Sequence, residues 1–542
     1  MKLWQIVFAL TALGLFGSTV AAQSAAITNA RIIPVAGPAI EKGTIVIRDG
    51  VIAEVGSAVK VPADIQAIDG TGLTVYPGLI DPYTSLGLVV PSRSAGPMAP
   101  GAVPPVDSSN SNYPAGLRPE DRTEELLKGG EAQFEAHRNA GFTTVLTVGR
   151  TGIFNGRSAI IDLAGDSISA MVVRSPFAEH ISFNTIQGQY PGSLLGTFSA
   201  LRQMFLDAKR LERAQSEYAK DPRGLPRPAA DRSLEALFPV IRKEMPVVFS
   251  ANREIEIIRA LDLAKEMEIN AIIAGGMEAG RVADRLKRQN VPVLLSLNLP
   301  KRTASASPDA DPESLEVLRM RAYAPKNAAA LAAAGVRFAF QTDGMPNPAE
   351  FTVNAAKAVE NGLNADTAIR AMTSDAAALL GIADRTGTIE QGKAANLTVT
   401  RGDLLAKDRV IRYVLIGGKV FEQKDRPAPM TGTRPTTAPT AATAQVGGNY
   451  SITIDIPGQP TDGTLALTQQ GNLVTGTIQT IAGTSQIKDG KVTAEGFSFS
   501  AIVDYGGTSF EIFVKGSVAG TKVSGSMDSP QGSVTFTGTR NP

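Results

Sequence analysis

Several apolar runs in this chain end on polar side chains, and those ends are where chemistry would be expected. TVYPGLIDPYTSLGL (74–88) is apolar up to Asp81 and then turns small and polar, with Tyr83 and Ser85 at alternating positions. PVVFSAN (246–252) ends on Ser250 and Asn252, with Arg253 just beyond. NAIIAGG (270–276) ends on Gly275 and Gly276, and RFAFQTD (337–343) ends on Asp343. Alternate residues at a strand end face the same side, so several such ends can aim side chains at one centre. Oxygen donors suit a hard cation such as Ca²⁺ or Mg²⁺, and Asp81, Ser85, Asn252 and Asp343 form the candidate set. Without an ion, Tyr83, Ser85 and Asn252 would fill the space and satisfy one another by hydrogen bonding. Asp343 acting as a base would need a poised water and an electrophile. Buried as a lone carboxylate it would need a cation, and Arg253 is the expected partner.

Imidazole and thiolate donors are scarce. The chain has 2 histidines, His137 and His180, and no cysteine. His137 lies in the helical pattern EAQFEAHRNAGF, and His180, in SPFAEHISFN, is expected far from the strand ends above. Both read as structural or surface residues. Catalytic zinc sites usually take at least two imidazoles, and a centre of three or four histidines cannot be drawn from two residues. The absence of cysteine also removes disulfides, leaving packed cores to supply stability.

The elements that would position these ends are legible from periodicity. TTVLTVG (143–149), PVVFSAN, NAIIAGG, PVLLSLN (292–298) and RFAFQTD are continuous apolar runs, as expected for strands buried on both faces. REIEIIRALDLAKEM and EAGRVADRLKRQN place apolar residues at helical spacing between them. Strand–helix alternation of this length predicts an α/β fold, a (β/α)8 barrel of the TIM type over residues 73–384. Residues 26–72 and 385–423 read as short strands and turns and are assigned to one composite β-sandwich. The Pro-, Gly- and Ser-rich stretch 91–119 would follow the first barrel strand as a lid over the mouth. Residues 425–446 form a Pro/Thr/Ala linker. Residues 447–542 predict a C-terminal, all-β antiparallel barrel or sandwich, in which LVTGTI, KVSGSM and TFTGTR mark a recurring turn.

Composition narrows the partners. At 542 residues, 43% hydrophobic and 19% charged, the chain is globular, and a net charge of +1 gives no general field to attract nucleic acid or an anionic membrane. Residues 1–22 carry Lys2, an apolar run and small residues Val20-Ala21-Ala22, the pattern of a secretory signal peptide. No cysteine follows for a lipid anchor and no other stretch is long enough to span a bilayer, so a periplasmic or secreted protein is expected.

The opening NARIIPVAGPAIEKGTIVIRDGVIAEVG, the phrase VYPGLIDPYTSLGL, the QTDG strand end and ALLGIADRTGTIEQGKAANLTVTRGD together resemble the amidohydrolase superfamily, nearest its imidazolonepropionase-like and dihydroorotase-like branch. The resemblance runs over about residues 26–423 in the family's order. It implies a metal-bearing barrel whose first strand supplies a His-x-His pair, whose fifth and sixth strands each supply a histidine, and whose eighth supplies an aspartate. Carried over position by position, the first pair corresponds to Tyr83 and Ser85, the fifth-strand ligand to Ser250 or Asn252, and the sixth to Gly275. The eighth-strand aspartate corresponds to Asp343. The family implies zinc, but its imidazole ligands are replaced at every position that aligns, so no cofactor is expected.

Two functional readings stay open. In one, an exported protein of this fold no longer hydrolyses and serves as a binding or partner subunit, with a small molecule in the mouth or an active paralogue beside it in a homo- or hetero-oligomer. In the other, it hydrolyses non-peptide carbon–nitrogen bonds of cyclic amides or dipeptide-like substrates by a metal-free or atypical metal route.

Overall fold

The computed structural model describes residues 24–541 except 89–112, 114–115, 129–130, 151, 166, 186–189, 303–312, 424–444, 456–460, 481–482, 493–495, 506–507 and 530–531. The expected signal peptide at 1–22 and most of the stretches 91–119 and 425–446 therefore lie outside the described residues. The chain divides into two units, Met1–Arg426 and Pro427–Pro542. No helix among the described residues is long and apolar enough to cross a membrane.

In the first unit the apolar runs form the barrel strands Leu79–Thr84, Phe142–Thr147, Glu179–Ser182, Val247–Ala251, Ala271–Gly275, Val293–Ser296 and Phe338–Gln341. The third barrel strand has two parts, Phe154–Arg157 and Ala159–Asp162. The expected TIM-type barrel is present, with one departure. The third strand pairs antiparallel with the second through Ala159–Asp162 and antiparallel with the fourth through Phe154–Arg157. Only residues 148–153 connect the second and third strands, too few for the crossover a parallel pair needs, so the chain turns back as a hairpin. The first barrel strand with the second, and the fourth through eighth, run parallel, and a short strand Val172–Arg174 adds antiparallel to Ala159–Asp162 at the sheet edge.

Alternation along the strands sorts the core into two layers. Val248, Ile272, Leu294, Ala339, Ile80, Leu146 and Ile160 face inward and fill the barrel. Val247, Phe249 and Ile273 face outward against Ile257, Leu261 and Ala264 of the helix Glu254–Met267. Strand alternation, not polarity, thus fixes which strand residues can reach the barrel centre.

The strand-and-turn segments at either end of the barrel meet in one eight-stranded sheet. Strands Ala25–Ile32 through Leu73–Pro77 come from before the barrel, and Leu397–Arg401, Val410–Ile416 and Lys419–Glu422 come from after it. Leu73–Pro77 pairs with Leu397–Arg401 in this sheet, so the barrel begins at Leu79 rather than at residue 73. Ile27, Ile45, Ile52, Leu397 and Leu415, drawn from across the sheet, share one core, so the sheet curls around it. Asn396 ties this sheet to the barrel. Its amide donates to the Asp162 carboxylate at 3.0 Å and its side-chain oxygen accepts the Gly417 N–H at 2.8 Å.

The second unit is a closed barrel of eight antiparallel strands in chain order, from Gly448–Asp455 to Gly532–Arg540. Tyr450, Leu465, Ile478, Phe499, Val514, Val523 and Phe536 fill its interior. The repeated LVTGTI and KVSGSM phrases are not turns. Gly476 and Gly525 lie inside strands, and a Cβ there would fall 1.9 Å and 2.1 Å from a neighbouring strand's carbonyl oxygen. These glycines allow the close strand approach that a tightly coiled small barrel requires.

Candidate functional site

The mouth is built from the ends of the first, second, fourth, fifth, sixth and eighth strands. Asp81 and Tyr83 alternate on the first strand and are both buried. Asp81 spans the seam where the eighth strand meets the first. Its carboxylate accepts the Thr342 N–H at 3.2 Å, the Thr342 hydroxyl at 2.5 Å and the Tyr83 N–H at 3.3 Å. Burial outweighs these bonds and pushes the Asp81 carboxyl up to about 7.

Tyr83 reaches across the barrel, where its hydroxyl lies 2.7 Å from the Ser250 hydroxyl on the fifth strand. Its ring is stacked on His180, with centroids 5.6 Å apart and planes 19° from parallel, and Arg150 lies over it at 4.6 Å. Burial raises the Tyr83 phenol above its ordinary range. Ser85 lies past the strand, half-buried, in a turn where its carbonyl accepts the Leu88 N–H.

His180 corrects a sequence expectation. It is not remote from the strand ends but sits on the fourth strand, level with Val248 of the fifth, fully buried. Neither ring nitrogen has a hydrogen-bond partner among the described residues, and burial pulls the imidazole down to about 3, so it is neutral. A one-strand gap in the reading caused the error: EHIS is too short a run to register as a strand by pattern alone. His137 packs on Phe142 from the helix Glu131–Asn139 and belongs to the outer layer.

At the end of the fifth strand, Glu256 in the first turn of the next helix accepts the backbone N–H groups of Asn252 and Arg253 at 2.9 Å and 3.1 Å. This one-way cap, with the Glu256 carboxylate as the acceptor, fixes where the strand stops. The Asn252 side chain turns toward the sixth strand. A Cβ on Gly275 would lie 2.3 Å from the Asn252 amide oxygen, and Gly275 has φ +96°. Bare backbone at 275 and the Asn252 amide are therefore one arrangement.

The expected Asp343–Arg253 pair does not form. Arg253 points away from the mouth to Glu316, 2.7 Å distant, and both are about half exposed. Asp343 instead pairs with Arg150 at 3.0 Å, with the two side chains 31% and 23% exposed in the order Arg150, Asp343. Arg150 also donates to the Tyr83 carbonyl at 3.3 Å. Asp343 takes a left-handed φ of +52°, which Asp tolerates better than most residues and which turns its side chain off the end of the strand. Arg150 follows Gly149 directly after the apolar run 143–149, so reading one residue further would have found it. The oxygen set proposed for a hard cation is likewise not free, because Asp81 is committed to Thr342 and Asp343 to Arg150.

The amidohydrolase family model matches residues 268–421, which span the sixth to eighth strands and the returning strands of the small sheet. Over these residues the chain is similar to the amidohydrolase family. An amidohydrolase from Thermotoga maritima MSB8 is 24% identical, with a TM-score of 0.61 over 73% of this chain and 100% of that one, and shares the fold. Weaker likeness extends to an Xaa-Pro dipeptidase solved with bound methionine, 19% identical with a TM-score of 0.45 over 74% of this chain and 100% of that one. A molinate hydrolase is 16% identical with a TM-score of 0.44 over 78% of this chain and 99% of that one. No curated protein matches the chain. Among the described residues no group of three or more His, Cys, Asp or Glu side chains is disposed to hold a metal.

Proposed function

We propose that this amidohydrolase-fold protein is exported through its N-terminal leader to the periplasm or beyond and works there without hydrolysing, as a binding or partner subunit. One observation carries the reading. At Gly275, which the family resemblance aligns with an imidazole ligand, any side chain would collide with Asn252.

The other residues at the mouth do not fit a zinc-class ion either. Tyr83 and Ser250 offer neutral hydroxyls already bonded to each other. Asp343, the one carboxylate the family would lend to the metal, faces a guanidinium. A zinc-class ion prefers imidazole, thiolate or free carboxylate donors. The polar mouth, where Arg150 pairs with Asp343 and the Asn298 amide donates to the Asp343 carbonyl at 3.5 Å, suits a small neutral ligand or contact with an active relative's barrel.

Elemental analysis of the purified protein, together with assays on amides, cyclic imides and dipeptides, tests this reading. We expect no stoichiometric zinc, manganese or nickel, and no turnover. Turnover that disappears with a chelated metal would overturn it in favour of the atypical hydrolase.

A further inference from the structure

We infer that Arg150 is a positioning residue that supplies, from within the chain, the cation Asp343 needs, and that it fastens three strand ends of the barrel mouth together. This deepens the metal-free reading and rests on it.

Arg150 leaves the second strand and contacts the other two strands through different parts of one guanidinium. Nη1 donates to the Asp343 carboxylate beyond the eighth strand at 3.0 Å. Nη2 donates to the Tyr83 carbonyl on the first strand at 3.3 Å. The guanidinium carbon lies 4.6 Å from the centroid of the Tyr83 ring. That ring is itself stacked on His180 of the fourth strand. A planar, always-charged fork can serve a carboxylate, a carbonyl and an aromatic face at once, and a lysine ammonium cannot.

The clamp lies where the barrel is least secured by its own backbone. The first and eighth strands belong to separate hydrogen-bonded sheets, so no ladder joins them. Asp81–Thr342 bridges the seam from one side, and Arg150, holding both Tyr83 and Asp343, bridges it from the other. Asp343 is also held in a left-handed backbone conformation, which persists only where surrounding contacts fix it. Truncating one partner of a partly buried ion pair leaves the other charge uncompensated, so the pair should respond to loss of either member.

The test follows the barrel's thermal transition in the full chain for the wild type, Arg150→Lys, Arg150→Ala, Asp343→Asn and the Arg150→Ala/Asp343→Asn double variant. Each is measured with and without millimolar guanidinium chloride, using potassium chloride at equal ionic strength as the screening control. We expect Arg150→Ala to melt well below the wild type and Arg150→Lys to recover only part of the loss. Free guanidinium, which can re-enter the vacated position, should raise the Arg150→Ala transition but not that of the wild type. This rescue should vanish in the double variant. A rescue that ignores Asp343, or none at all, overturns the inference. Should Arg150→Ala fail to fold, Arg150→Lys, Asp343→Asn and their double variant carry the test through their coupling: additive losses overturn the clamp. Stoichiometric zinc in the wild type would instead overturn the metal-free reading, so the two failures are distinguishable.

Discussion

Asp81 on the first barrel strand and Thr342 at the end of the eighth are joined by two hydrogen bonds to one buried carboxylate. They are 261 positions apart in sequence, and their contact closes a seam that no backbone ladder crosses.

The folded Asp81 carboxyl is raised from 3.8 to about 7, so between those values the folded state holds a proton that the unfolded state has lost. Its contribution to stability is present at low pH and lost as pH rises through 7, at no more than about 1.4 kcal/mol per pH unit. Asp81→Asn should remove this slope. In urea unfolding at a series of pH values, the variant's stability relative to the wild type should improve from pH ~5 to ~8. Parallel profiles would show that Asp81 is charged in both states.

His180 gives the opposite trend. Its folded value is lowered from 6.5 to about 3, so the unfolded state binds the proton first as pH falls. The contribution is present above 6.5 and lost on acidification through the folded value, and His137, lowered to about 4, acts in the same direction. His180→Phe, which keeps a ring for Tyr83 to stack on, should flatten the acid limb between pH ~6.5 and ~4. An imidazole proton resonance for residue 180 that titrates near 6.5 in the folded protein would contradict the buried neutral ring.

Gly275→Ala should destabilise the barrel for two separable reasons. The new methyl meets the Asn252 amide oxygen at 2.3 Å, and φ +96° is strained for any residue with a Cβ. Together these should cost about 2–4 kcal/mol. Adding Asn252→Gly should relieve the steric part and leave the backbone part, so chemical denaturation of the double variant should fall between wild type and Gly275→Ala. Equal stability of the single and double variants would mean that Asn252 does not fill the space beside residue 275.

The Tyr83–Ser250 hydroxyl pair invites a double-mutant cycle. Tyr83→Phe leaves the stack on His180 in place and removes one hydrogen bond, an expected loss of about 1 kcal/mol. Ser250→Ala should cost about as much, and the two losses should not add, because each variant breaks the same bond. Full additivity would place the two hydroxyls apart in solution.

Much of the fold could be read before any coordinates. The runs read as strands at 246–252, 270–276, 292–298 and 337–343 appear as Val247–Ala251, Ala271–Gly275, Val293–Ser296 and Phe338–Gln341. Where the reading failed, the deciding contact was not local. The reversed third strand came from a connection too short for a crossover, and His180 was missed because four residues give no period to detect. Arg253 stands beside a strand end in the sequence, yet it turns outward to Glu316, and Arg150 pairs with Asp343 instead.

By itself the sequence determined the supply of donors, two imidazoles and no thiolate, and the order of strands and helices that must carry them. Periodicity and composition are local properties, and the chain states them outright. Only the tertiary structure decided which side chains meet: Arg150 with Asp343 across 193 residues, Tyr83 with both Ser250 and His180, and Asn252 over Gly275. Closing a barrel brings strand ends together in an order unrelated to their separation in sequence, and so the partner of a buried charge is fixed by closure.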